Sequence, residues 1–287
     1  MEKLNYEQFK IVTSTKLEEL LLNSKMPYGY KKEVVRKINT ELDSITIIGN
    51  DIVAAPTIYF NNLYRQYKEN EKLTVDQIAE MAFNMLIEGI TSKPYDAIFL
   101  DETKESFLSK IIFQVINRKK NEIYLRNVPN RDFMDLSIIY RYVVEINDDE
   151  VSSAVVTNKF SEKYDVTEEE MYEAAYKNTM EKIKPGIHQN SMIPGMRFLT
   201  NDAGVYGANA LLYKEIIAKE AKKIDADLYL IPSSIHEIII YPVSNTLTAD
   251  MLKETIEQIN SSEIEPEDYL SDSLYIYKKT TDTIEIA

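Results

Sequence analysis

The chain has no cysteine, no tryptophan and only two histidines in 287 residues. Without cysteine there are no disulfides, thiolate zinc sites or cysteine nucleophiles. His188 and His236 are far apart in the chain, and no His-x-x-x-His or clustered Asp/His spacing exists, so no metal centre is expected. A hard-cation site built from carboxylates alone stays open, because acids are plentiful. Long apolar runs are also missing. Stretches such as "IIIYPV" at 238–243 are far too short to cross a bilayer. The opening "MEKLNYEQFK" alternates charged and apolar residues and has no signal-like apolar block. The expectation is a cytoplasmic protein with no membrane association.

Positive charge is scarce as well. Lysine and arginine number 33 against 47 aspartates and glutamates, a net charge of −14. Affinity for nucleic acid comes mainly from cations neutralising phosphates, so direct nucleic-acid binding is not expected. The one basic cluster, Arg118–Lys120, is too small to change that. Acids gather at Asp148–Glu150, at Glu168–Glu170 and between Glu254 and Asp272, including Glu257, Glu263, Glu265, Glu267 and Asp268. Such tracts are solvated faces, or a decoy for a basic partner.

Apolar residues make up 44% of the chain, enough for a real core. Three segments share one pattern: "LTVDQI" at 73–78, "VTEEEM" at 166–171 and "LTADML" at 247–252. Each reads as a helix start in which a threonine oxygen accepts from a free backbone N–H. Gln77 and Glu170 complete a capping box with Thr74 and Thr167, whereas Thr248 has Met251 at that position. Helical spacing then predicts buried faces of Ile78, Met81, Ala82 and Met85, of Met171, Ala174 and Ala175, and of Leu252, Ile256 and Ile259. A hairpin precedes each start: 45–48 and 52–60 around "GND", 136–146 and 151–157 around "NDDE", and 227–231 and 236–242 around "PSSI".

Further elements are a helix over 5–22 with Phe9, Val12, Leu17, Leu20 and Leu21 on one side, and strands at 110–117 and 196–202. A continuous helix is expected from Tyr206 to Ile224, with a final strand near 270–279, while 31–40 is too mixed to assign. Hairpins mixed with helices indicate an α+β fold of repeated strand–strand–helix units, a mixed or antiparallel sheet packing on helices. One compact unit over 1–287 is expected, divisible into lobes 1–132 and 133–287.

Several stretches resemble an uncharacterised bacterial family, domain-of-unknown-function family 5688. They are "PTIYFN" at 56–61, "NVPNRDFMDLSIIY" at 127–140, "VTEEEMYEAAYKNT" at 166–179, "LTNDAGVYGANALLY" at 199–213, "DLYLIPSSIHEIIIYP" at 227–242 and "LSDSLYIY" at 270–277. The resemblance implies a single-unit architecture and carries no activity and no assigned site residues.

Three places could carry chemistry. In "PSSIHE", Ser234, His236 and Glu237 are candidate catalytic residues, but no glycine-flanked elbow surrounds the serines. The competing reading is a hairpin turn whose serines satisfy backbone groups. The loop "TNDAGVYGAN" offers Gly204 and Gly207 for close backbone approach, with Asn201, Asp202 and Asn209 as a polar rim for an anion or small ligand. It lacks the lysine of a phosphate-binding loop and the glycine spacing of a dinucleotide site. "VPNRDFMDL" offers Arg131, Asp132 and Asp135, which otherwise read as a loop ion pair. His188 reads as a solvated loop histidine.

With no activated nucleophile, metal cluster or phosphate motif, the leading expectation is a non-catalytic binding protein for a protein or small-molecule ligand, with no cofactor. The alternatives are a hydrolase joining the 199–209 loop to the 232–237 turn, and the acidic decoy.

Overall fold

A computed structural model describes residues 3–49, 55–91, 103–147, 150–189, 195–232, 234–244 and 247–287. The chain forms two compact units, Met1–Asp101 and Glu102–Ala287. The expected lobe boundary at 132 falls inside a strand of the second unit, Asn130–Phe133.

In the first unit, α1 (Tyr6–Asn23) starts at a capping box between Asn5 and Gln8. Strands β1 (Gly29–Lys37) and β2 (Thr40–Ile48) form a hairpin, and β3 (Thr57–Tyr59) pairs antiparallel with β2. Helices α2 (Phe60–Glu69) and α3 (Val75–Thr91) follow. The core gathers Phe9, Leu17, Leu21, Ile45, Ile47, Phe60, Leu63, Ile78, Ala82 and Leu86. On α3 the expected face is rotated. Ile78 and Ala82 are buried, but Met81 and Met85 are exposed, and Ala79 and Leu86 take their place. On α1, Val12 is exposed, and Thr13 and Ser14 complete the buried stripe.

The second unit holds two sheets. Strands β4 (Ile111–Asn117), β5 (Asn130–Phe133) and β6 (Leu136–Asn147) run in the order β4-β6-β5, and β7 (Glu150–Val155) also pairs β6. The larger sheet contains β8 (Pro185–Gln189), β9 (Arg197–Asn201), β10 (Leu228–Ile231), β11 (Ile238–Pro242), β12 (Tyr275–Lys278) and β13 (Thr283–Ile286). Its order is β13-β12-β10-β11-β9-β8. The helices are α4 (Lys104–Ser109), α5 (Glu122–Leu125), α6 (Asn158–Lys163), α7 (Glu168–Lys182), α8 (Lys214–Ile224) and α9 (Ala249–Ser262). The α+β class expected from the sequence is what the structure has.

All three threonine caps form. Thr74 exchanges bonds with Gln77, Thr167 with Glu170, and Thr248 accepts from the Met251 N–H at 3.3 Å. Two of the three strand–strand–helix units hold in outline, β6–β7 before α7 and β10–β11 before α9, although α6 intervenes in the first. Before α3 the described part of the expected second strand, 55–60, is strand only at β3, and Phe60 begins a helix instead, burying Phe60, Leu63 and Tyr67 at helical spacing. The turns "GND" and "NDDE" lie wholly or partly outside the described residues. The expected helix from Tyr206 breaks at Tyr213 (φ −103, ψ 72), separating a 3-10 turn over Gly207–Leu212 from α8.

Strand β4 is buried along its length and, among the described strands, pairs with β6 alone. A buried sheet edge needs partners for its backbone groups. Side chains supply them. The Phe113 N–H donates to Thr179 Oγ1 at 3.0 Å, Asn178 Nδ2 donates to the Ile111 carbonyl at 2.9 Å, and Asn209 Nδ2 donates to the Phe113 carbonyl at 3.1 Å.

Candidate functional site

The 199–209 loop and the 232–237 turn do meet, because β9 pairs with β11 through Leu199 and Ile238. Helix α8 links β9 to β10, and β11 lies between those two strands. The Thr200 hydroxyl donates to the His236 carbonyl at 2.8 Å, and the Ala208 N–H donates to the Ile235 carbonyl at 3.1 Å. A Cβ on Gly207 would stand 2.1 Å from both the His236 oxygen and Thr200 Oγ1, so only glycine fits there.

The far side of the turn is held equally firmly. The Ile235 N–H donates to the Asp268 carbonyl at 2.9 Å, and the Ser271 N–H donates to the Pro232 carbonyl at 2.9 Å. Ser234 Oγ accepts from the His236 N–H at 3.1 Å, the local turn bond short hydroxyl residues favour. The hairpin loop is thus longer than the four-residue turn expected, running from Pro232 to Glu237, with Ser233 outside the described residues.

His236 points its Nε2 at Asp268 Oδ1, 3.1 Å away, while its Nδ1 is buried with no partner among the described residues. A serine hydrolase needs one ring nitrogen on the nucleophile and the other on the acid. Here the acid holds one nitrogen and protein encloses the other. Burial raises the Glu237 carboxyl above its usual value, and His236 pulls weakly the other way.

The proposed ligand rim is turned inward. Asn201 is buried and donates to the Val205 carbonyl at 2.9 Å. Asn209 is wholly buried on the β4 edge. Gly204 takes φ +64 to close the loop, and Asp202 is exposed, its backbone N–H bonded to Ile183. At the start of the 206–224 segment the Ala208 N–H donates to the Ile235 carbonyl and the Asn209 N–H to the Tyr206 carbonyl.

Arg131 clamps the first turn of α7, reaching Glu168 at 2.7 Å and Glu169 at 2.5 Å, with its guanidinium 4.0 Å from the Tyr172 ring centre. Glu168 also accepts from the Tyr140 hydroxyl, which burial and then this carboxylate push well above the usual tyrosine value. Asp132 pairs with Arg118 at 2.8 Å. Asp135 accepts from Ser271 at 2.5 Å, from Ser273 at 3.0 Å and from Tyr275. The three candidates Arg131, Asp132 and Asp135 are thus all engaged within the fold. Glu170 binds Lys104 at 2.7 Å, and that lysine and the Thr167 N–H draw its carboxyl down to about 2. Of the acidic tracts, Glu254, Glu257, Glu263 and Glu265 stay exposed, and Asp148 and Asp149 lie outside the described residues. His188 is exposed but sits on β8, not in a loop. Among the described residues no three His, Asp or Glu are placed to hold a metal ion, and no helix is long and apolar enough to cross a membrane.

An apolar cleft of about 300 Å³ opens between α9 and the β10–β11 pair. Ile231 and Ile239 face each other across the strands, and Tyr241 follows on the same side. From α9 come Leu252, Ile256 and Ile259 at helical spacing, and Met196 lies beside them. Leu252 and Ile256 are buried, while Ile259 is 36% exposed at the mouth. Among the described residues the Tyr241 hydroxyl has no hydrogen-bond partner. The sequence signals were local, the α9 stripe and the alternation of β11, and nothing in them showed a gap between the two. A second hollow in the first unit, about 390 Å³, is lined by Lys10, Glu18, Lys32 and Asp43. Its charges already pair, Lys10 with Asp43 at 3.1 Å and Lys32 with Glu18 at 2.8 Å.

The model of a family of unknown function, DUF5688, matches residues 6–196 and 188–279. The chain belongs to that family. No curated protein and no solved structure matches it. DUF5688 membership brings no activity with it, so the chemistry must be argued from the side chains.

Proposed function

We propose that the chain is a non-catalytic binding protein of the cytosol, and that its ligand is a small, largely apolar molecule held in the cleft between α9 and β10–β11. One observation carries this reading: a concave, apolar hollow of about 300 Å³ lined by the Tyr241 ring, whose hydroxyl has no hydrogen-bond partner among the described residues. Small-molecule sites combine an apolar lining with a few orienting polar atoms. The floor is rigid, since Ile231 and Ile239 belong to a paired sheet and Leu252 and Ile256 to a capped helix.

Against the hydrolase alternative stands His236, whose Nε2 is held by Asp268 and whose Nδ1 is enclosed with no serine hydroxyl on it among the described residues. Against the decoy stand the pairs that Glu168, Glu169 and Glu170 make with Arg131 and Lys104.

The neutral fluorophore N-phenyl-1-naphthylamine tests the cleft. Saturable fluorescence enhancement is expected with the native chain, and its loss in Thr255→Trp. Thr255 lines the cleft yet is exposed, so a bulky residue can block the mouth without disturbing the core. Absence of saturable binding, or equal binding by Thr255→Trp, overturns the reading.

A further inference from the structure

Arg141 lies mid-strand on β6, in the otherwise apolar and aromatic run Ile138–Val144. Its neighbours on that face of the sheet belong to an apolar cluster, Ile112, Val143, Val151 and Ile183, packed by Ala203, Val205 and Tyr206. The guanidinium sits 4.6 Å from the Tyr206 ring centre. Among the described residues its hydrogen bonds all go to neutral atoms: Nε to Ser153 Oγ at 2.8 Å, Nη1 to Gln114 Oε1 at 3.0 Å, and Nη2 to the Ser153 carbonyl at 2.9 Å.

No carboxylate pairs with Arg141 among the described residues. That sets it apart from Arg197, which is similarly sheltered and has Glu220 at 2.7 Å, and from Arg131 with its two glutamates. Withdrawing a charge from water without a counter-charge is costly. Desolvation accordingly lowers the Arg141 guanidinium below its usual value, partly offset by Tyr206 and Tyr124. Guanidinium carries five N–H donors. Among the described residues three find acceptors, leaving one on each of Nη1 and Nη2. The nearby hydroxyls of Tyr124 and Tyr206 likewise have no hydrogen-bond partner among the described residues.

We infer that Arg141 is the anchor of an anion site, taking a small oxyanion, carboxylate or phosphate, on its two unused N–H donors with the Tyr124 and Tyr206 hydroxyls beside them. A planar fork of donors above an aromatic ring suits such groups. The ligand restores the missing negative charge in a sheltered place, where its attraction is strongest. The site shares no residue with the apolar cleft, so either can fail alone. It also reinterprets the 199–209 loop: Tyr206 covers the cation, and the loop's backbone N–H groups do not bind the anion.

The test is thermal unfolding of the full chain in phosphate, acetate or chloride at matched ionic strength. A net charge of −14 disfavours diffuse anion binding, so a saturable response reports a built site. The native chain is expected to gain a saturable rise in Tm with phosphate or acetate over chloride. Their relative strengths tell a tetrahedral from a planar ligand. Arg141→Met is expected to abolish the rise, while Arg197→Met keeps it. Should Arg141→Met fail to fold, Arg141→Lys retains the charge without the fork and is expected to weaken the apparent affinity at least about fivefold. No saturable response in the native chain, or an undiminished one in the Arg141 variants, overturns the assignment. A purely structural arginine would lower Tm equally in all three salts.

Discussion

His236 Nε2 and Asp268 Oδ1 stand 3.1 Å apart, and the Ile235 N–H next to that histidine bonds the Asp268 carbonyl at 2.9 Å. The side-chain pair therefore reinforces a backbone staple between the β10–β11 loop and the segment before β12. Both side chains remain partly solvated, at 37% and 38% exposure. A double-mutant cycle with His236→Ala and Asp268→Ala, read by urea unfolding, should give a coupling of roughly 0.5–1 kcal/mol. A coupling near zero would contradict a bonded pair.

Gly207 and Gly204 are glycines for different reasons, and alanine separates them. At Gly207 the added Cβ meets the His236 oxygen and Thr200 Oγ1 at 2.1 Å, and a backbone atom cannot easily yield. Gly207→Ala should cost about 3 kcal/mol or more by overpacking. Gly204 has open space but φ +64, so Gly204→Ala should cost only about 1 kcal/mol. Unfolding midpoints in urea rank the two, and the reverse order would show that the loop does not press on the turn.

Glu237 is an acid whose folded value is raised by burial. The ionised form is then the less stable one in the fold. The charge costs stability above the folded value, and the cost disappears as the pH falls through it. Glu237→Gln should raise stability at pH 7 by about 0.5 kcal/mol, an amount reduced by solvent screening. The gain over the native chain should shrink as the pH approaches 4.5, the ordinary glutamate value. Thermal unfolding across that range checks the sign, and a loss of stability at pH 7 would show that the carboxylate has a partner.

Much of the fold was legible where the signal was local. The threonine caps needed only Thr74, Thr167 and Thr248 and the residues three positions on. Strand β1 was hidden because its burial hardly alternates: Lys31, Lys32, Glu33, Val34, Arg36 and Lys37 all face solvent. The faces of α1 and α3 were misplaced because hydroxyl residues and alanines, not methionines, fill the tight contacts. The candidate turn was found in the right place, but Asp268, the acid on His236, lies 32 residues away and carries no local mark. Arg141 did leave a trace, a lone cation inside an apolar strand, and only the packing shows that it has no counter-charge.

The α9 cleft is the proposed place where this chain meets its ligand. Methyl NMR of isoleucine δ1 groups, with and without N-phenyl-1-naphthylamine, tests that most directly. Shifts confined to Ile231, Ile239, Ile256 and Ile259, with Ile47, Ile116 and Ile139 unmoved, are the predicted result. Shifts scattered through the core, or none at saturating probe, would contradict it.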